Sequence, residues 1–175
     1  MRVPRETNKL GAMSSTAQPF VPERTAAMLA LVAISGAAAA GLDLAFAIVF
    51  YGLQGVGTSD LLRGIAGAAL GARAREIGTA ADALGVLFHF LISVTAAMIY
   101  YAASRRFPLL TRRPLFSGAV FGVLMYFTMR LVVLPLSHVG FHVPRLGDIV
   151  GELCSHIFLF GWVIAFGVAW AQRSR

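Results

Sequence analysis

Charge is scarce in this chain. Asp, Glu, Lys and Arg make up 13% of its 175 residues, against about 25% in soluble globular domains. With 58% of the residues hydrophobic, a surface solvated on all sides is not what this composition builds. A single cysteine, Cys154, excludes an intramolecular disulfide and reads as a small packing residue. No Gly-x-Ser-x-Gly, no Walker loop and no His-Glu-x-x-His occurs, so nothing points to an enzyme. The net charge of +7 does not point to nucleic acid. A basic helix with interleaved aromatics is missing, and the arginines border apolar runs instead.

What the chain has in quantity is long apolar sequence. Four runs, about 26–53, 82–103, 115–137 and 148–171, each supply the roughly 20 residues that cross a hydrocarbon core. Leu, Phe, Val and Ala dominate them, and helices satisfy their own backbone groups in lipid, so four transmembrane helices are expected. Ala38-Ala39-Ala40 resembles a signal-peptide cleavage site. The first run continues past it to Leu53, well beyond the ~7–15 residues of a signal core, and so reads as a span. Gly36 with Ala40, and Gly118 with Gly122, are small-xxx-small pairs that let helices approach closely in lipid.

The remaining segments are polar. Residues 1–24 hold Arg2, Arg5, Lys9, Arg24 and three prolines, the composition of a disordered tail. Ten basic residues fall in the two termini and the 104–114 link, four in the 54–81 and 138–147 links, and Arg130 lies within a run. The positive-inside rule then places both termini and the 104–114 link in the cytoplasm, and the other two links outside. In the 54–81 link, Thr58-Ser59-Asp60 reads as the cap of a short helix through Leu61–Ala66. That helix is expected to lie at the outer surface or to dip into the bundle as a partial lid. His138 and His142 flank the second outer link and read as interfacial.

Every span carries an ionisable residue, although such groups are costly in lipid and usually face a protein interior or a cavity. Asp43 is in the first, His89 in the second, Arg130 in the third, and Glu152 and His156, four apart on one face, in the fourth. At 1.5 Å per residue they lie roughly 5–10 Å from the span midpoints, all toward the outer face. His89, Ser93, Ala97 and Tyr100 form one stripe, and Gly36, Ala40 and Asp43 share another face. A closed cluster is expected, with Arg130 as central cation and Asp43 and Glu152 as counter-charges. The plainer reading is that these groups satisfy one another and hold the bundle together. The working reading is a site that senses or moves protons or ions, since His titrates near working pH. Two further readings are haem held by His89 and His156 as axial ligands, and a transition metal held by His89, His156 and Glu152, with Asp43 as a fourth ligand.

The order His89, Ser93, Tyr100, Phe107-Pro108, Gly118-x-x-x-Gly122, Pro135-Leu136, Pro144 and Glu152-x-x-x-His156 resembles the YagU-like family of small bacterial inner-membrane proteins. The resemblance covers the chain from His89 onward. It implies an integral inner-membrane protein with a link to survival in acid, and it supplies no biochemical activity. His89, Glu152 and His156 match polar family positions. Arg130 departs, since the pattern allows His there.

The sequence therefore predicts an all-α, four-helix integral membrane bundle with a short helix in its first outer loop. A bundle this small has lipid-facing surface to spare, which leaves room for a homo-oligomer. An alternative role is that of a structural or assembly partner of a larger membrane complex.

Overall fold

The computed structural model describes residues 22–140 and 143–173. The expected tail lies outside them except at its end, where residues 22–24 already belong to a helix. Proline can open that helix because a first-turn N–H has no internal partner to lose. In chain order the helices are α1 (Pro22–Gly52), α2 (Thr58–Leu70), α3 (Arg73–Glu76), α4 (Thr79–Arg106), α5 (Leu109–Arg112), α6 (Pro114–Leu136) and α7 (Leu146–Arg173). Four of them, α1, α4, α6 and α7, are long and apolar enough to cross a membrane. No strand occurs among the described residues, and the fold is an all-α four-helix bundle.

Proline marks the helix ends. Pro108 follows Phe107, the residue that caps α4, and Pro114 opens α6, positions where its missing N–H and fixed φ do least harm. Pro135 sits in the last turn of α6, and the wider π turn Met129–Val133 ends two residues before it. A proline ring crowds the carbonyl four residues back, and a local π turn is one way a membrane helix re-satisfies the freed backbone groups. A second π turn, His156–Gly161, interrupts α7.

Small residues set how the helices meet. α1 packs on α4 and α7, and α7 packs on α6. At Gly36, an added Cβ would stand 2.8 Å from Val94 Cα and 2.9 Å from Ala97 Cβ. At Gly122 it would stand 2.1 Å from the His156 carbonyl oxygen, and at Gly161 2.1 Å from that of Gly118. Only hydrogen fits at these crossings, and the small-xxx-small pairs are the contact seams. α4 and α6 come together through Tyr100, whose hydroxyl donates to Ser117 Oγ at 2.9 Å and whose ring meets Phe121 edge-on at 4.9 Å. Past that point a groove of about 480 Å³ separates them.

α2 lies against α4, with Leu62 backbone so close to Gly85 that a Cβ there would be 2.2 Å from its carbonyl oxygen. The sequence reading placed the cap at Thr58-Ser59-Asp60. Gly57 is the N-cap instead, with no side-chain cap bond. Ser59 is drawn away by Asp82, to which it donates at 3.0 Å, and Arg63 reaches the same carboxylate at 2.8 Å. His138 docks at the other end of α2, its N–H donating to the Ala68 carbonyl at 3.2 Å. His142 lies outside the described residues.

The hydrophobic core is lopsided. Val32, Ala96, Ala97, Tyr100, Phe160, Ile164 and Val168 fill the half of the bundle toward the 107–113 link. A smaller alanine cluster, Ala66, Ala74 and Ala81, ties α2 and α3 to α4. Between them, in the half toward α2, the interior is hollow.

Candidate functional site

The hollow is a cavity of about 490 Å³, lined by α1, α2, α4, α6 and α7. Its lining is mostly apolar, and its polar wall carries Asp43, His89, Arg130, Glu152 and His156. Each of these lies nearer the end of its helix that meets the 53–78 or 137–145 link than the opposite end. Leu61, Gly64, Ile65 and Ala68 of α2 roof the same space, so the short helix lies over the cavity as a partial lid.

The polar wall divides into two groups. In the first, Asp43 is buried on α1. His89 Nε2 lies 3.6 Å from Asp43 Oδ2 and His156 Nδ1 lies 4.0 Å from Oδ1. Ser155 donates a short hydrogen bond to Oδ1. His89 reaches the carboxylate because α4 runs along α1 with its polar stripe inward. Ser93 Oγ donates to the Gly36 carbonyl at 2.9 Å, and one turn on His89 Nε2 faces the Ala40 carbonyl at 3.2 Å. Both stripes read from the sequence are thus the two sides of one helix crossing.

The partners of the rings fix their tautomers. A carbonyl oxygen can only accept, so His89 carries its hydrogen on Nε2, toward Ala40, and His156 carries its own on Nδ1, toward the Glu152 carbonyl at 2.9 Å. In the neutral rings the second nitrogen of each is a lone-pair acceptor. Every buried side-chain nitrogen and oxygen among the described residues has a partner. The free ring nitrogens are therefore not sealed without a partner in the core, and both residues line the cavity. Either ring can take a second proton without breaking a bond it already makes, and the resulting cation would stand within ion-pair range of Asp43.

In the second group, Arg130 and Glu152 form a two-pronged pair. Arg130 Nε donates to Oε2 at 3.1 Å and Nη2 to Oε1 at 3.0 Å. The side chains are 10% and 21% exposed, so the pair is held in a weakly screened setting where bidentate geometry matters. Tyr51, near the end of α1, donates a short hydrogen bond to the same carboxylate. The sequence reading gave Arg130 both carboxylates as counter-charges. The structure pairs it with Glu152 and sets the two histidines and Ser155 around Asp43. The reason is helix order: α6 packs along α7, which carries Glu152, whereas α1 lies against α4 and α7.

Both π turns fall at this site. Arg130 is inside one and His156 opens the other. In α7 the Glu152 carbonyl serves both the His156 N–H and the His156 ring, and a side chain drawing on the backbone ladder is a known cause of such a distortion. The His156 ring is itself held between Tyr126 and Phe160, with centroids 5.8 and 5.9 Å away.

Tyr51 and Ser155 are site residues that the sequence reading did not single out. Tyr51 was traceable, since Asp43, Phe46, Ala47, Phe50 and Tyr51 follow the i, i+3, i+4, i+7, i+8 rule of one helix face. Ser155 was too, because Gly151 and Ser155 make a small-xxx-small pair. Gly151 admits Phe50 and Ser155 meets Asp43, both on α1.

The transition-metal reading finds no ligand set: among the described residues no group of three His, Cys, Asp or Glu side chains could hold a metal ion. No protein-family model, curated protein or solved structure matches the chain.

Proposed function

We propose that this is a polytopic inner-membrane protein whose Asp43–His89–His156 group takes up and releases protons from the extracytoplasmic side, as a proton sensor or carrier in survival of acid stress. The single observation that carries this reading is the placement of Asp43 between two imidazoles that line the same cavity. Imidazole exchanges protons over roughly pH 5–8, and the carboxylate receives the charge that each proton brings. Ionisable groups inside a membrane protein mark proton and ion routes more often than packing alone. The arginine bias supports an orientation with both termini cytoplasmic, which would put the cavity in the outer half. The resemblance to the YagU-like family supports the same setting.

Proton flux into liposomes containing the purified protein, driven by a potassium diffusion potential, tests this. Wild-type protein is expected to acidify the lumen above the rate of empty liposomes, and Asp43→Asn and His156→Gln to lose that excess. Equal flux in wild type and Asp43→Asn contradicts the reading. The alternative of a structural or assembly role is favoured by the Arg130–Glu152–Tyr51 group, which is fully engaged within the bundle. It requires co-purification of a partner whose loss follows replacement of Glu152.

A further inference from the structure

The cavity and the groove between α4 and α6 are neighbours. They share Ile92 and Met125 as a common wall. The groove is bordered by Leu91, Thr95, Ile99, Leu124 and Thr128, all exposed on the apolar flank of the bundle. The site is therefore roofed by α2 but approachable sideways, between two spans that stand apart beyond Tyr100.

We propose that the site binds an amphipathic organic cation that arrives laterally from the bilayer, with its charged centre on Asp43 and its apolar body toward Ile92 and Met125. This deepens the proton-binding reading and rests on it, because the cation and the proton use the same carboxylate. The charge balance selects the sign. The groups facing Asp43 and the cavity are His89 from α4, Tyr126 and Arg130 from α6, Glu152 and His156 from α7, Tyr51 from α1 and Asp60 from α2. Arg130 and Glu152 cancel as a bidentate pair. With neutral imidazoles the remaining charge is that of Asp43 and, at the roof, Asp60, so the cavity is negative. Its volume of about 490 Å³ is within the range of roughly 300–1,000 Å³ typical of small-molecule sites. Aromatic faces at Phe46, Tyr126 and Phe160 line it, and such faces attract organic cations. Each proton taken up by a histidine removes one unit of that negative charge, so acid opposes cation binding.

The test uses the full-length protein in nanodiscs of zwitterionic lipid and two probes of one shape and opposite charge, tetraphenylphosphonium and tetraphenylborate. Wild type is expected to bind the phosphonium saturably near pH 8, roughly tenfold more weakly near pH 5, the scale of one added like charge, and not to bind the borate. Asp43→Glu, which keeps the charge, is expected to retain binding, and Met125→Trp, which fills the shared wall, to abolish it while leaving the histidines titrating. Borate binding as tight as phosphonium, or phosphonium binding that ignores pH, overturns the inference. Absent phosphonium binding with intact Asp43-dependent proton flux overturns it too and leaves the proton reading standing.

Discussion

Gly122→Ala is the sharpest probe of how this bundle holds its site together. The added methyl would sit 2.1 Å from the His156 carbonyl oxygen, 2.7 Å from its carbon and 2.8 Å from Ile157 Cα, whereas ordinary contact begins near 3.4 Å. The obstacle is backbone, so no side chain can swing away, and α6 and α7 must separate by about 1 Å along the seam that Gly161 also occupies. Overpacking of this kind costs about 1–3 kcal/mol. Replacing glycine by alanine inside a helix returns up to ~1 kcal/mol of propensity, which with the full gain leaves a net loss of up to about 2 kcal/mol. Gly64→Ala is the control, because nothing lies within 4 Å of a Cβ there, and it should keep the whole propensity gain of up to ~1 kcal/mol. Reversible unfolding in mixed micelles, followed by circular dichroism against the fraction of denaturing detergent, reads the difference. The reasoning fails if Gly122→Ala unfolds at or beyond the midpoint of Gly64→Ala.

Three other experiments probe the charge pair, the lid and the orientation. Glu152→Ala leaves Arg130 without its bidentate partner in a poorly solvated wall and should cost on the order of 3 kcal/mol in the same unfolding assay. Glu152→Ala combined with Arg130→Met should regain most of that loss, and equal loss in single and double variants would show that the charge pair is not the cause. Arg63→Ala removes an ion pair whose members are 30% and 19% exposed, so global stability should change by less than about 1 kcal/mol. Hydrogen exchange across Thr58–Leu70 should nonetheless rise, and unchanged exchange would mean that Asp82 does not hold the lid. For orientation, single cysteines at Thr111 and Val139 in a Cys154→Ser background should label differently with an impermeant maleimide on intact cells. Val139→Cys should react and Thr111→Cys should not, and the reverse pattern would invert the topology.

The sequence carried the spans plainly, because in lipid each helix must hide its own backbone and announces itself as one long apolar run. It also carried the height of each ionisable residue, because rise per residue is fixed, and the face of each, because the turn angle is fixed. What it did not carry was the order of the helices around the bundle. Height and face put Arg130 level with Asp43 and Glu152 alike. Only the packing of α6 along α7 decides that Glu152 is its partner and that Asp43 belongs to the histidines. The two π turns were also invisible, although Pro135 flags the first in hindsight. The second begins where the His156 ring bonds its own helix at Glu152, which no periodicity records. Gly57 took the cap of α2 because Ser59 has a better partner in Asp82, a contact across 23 residues that local sequence rules cannot see. The hollow itself was not legible, since it follows from α4 and α6 standing apart where Ile92 and Met125 face each other.

The central claim is that Asp43 and the two histidines behave as one proton-binding group. Nitrogen-15 magnetic resonance of histidine-labelled protein in bilayers, followed from pH 8 to pH 5, addresses it directly. The account predicts that His89 carries its proton at Nε2 and His156 at Nδ1 near pH 8, and that Asp43→Asn changes how both rings respond to pH. Rings whose response to pH is identical with and without the Asp43 carboxylate would contradict it.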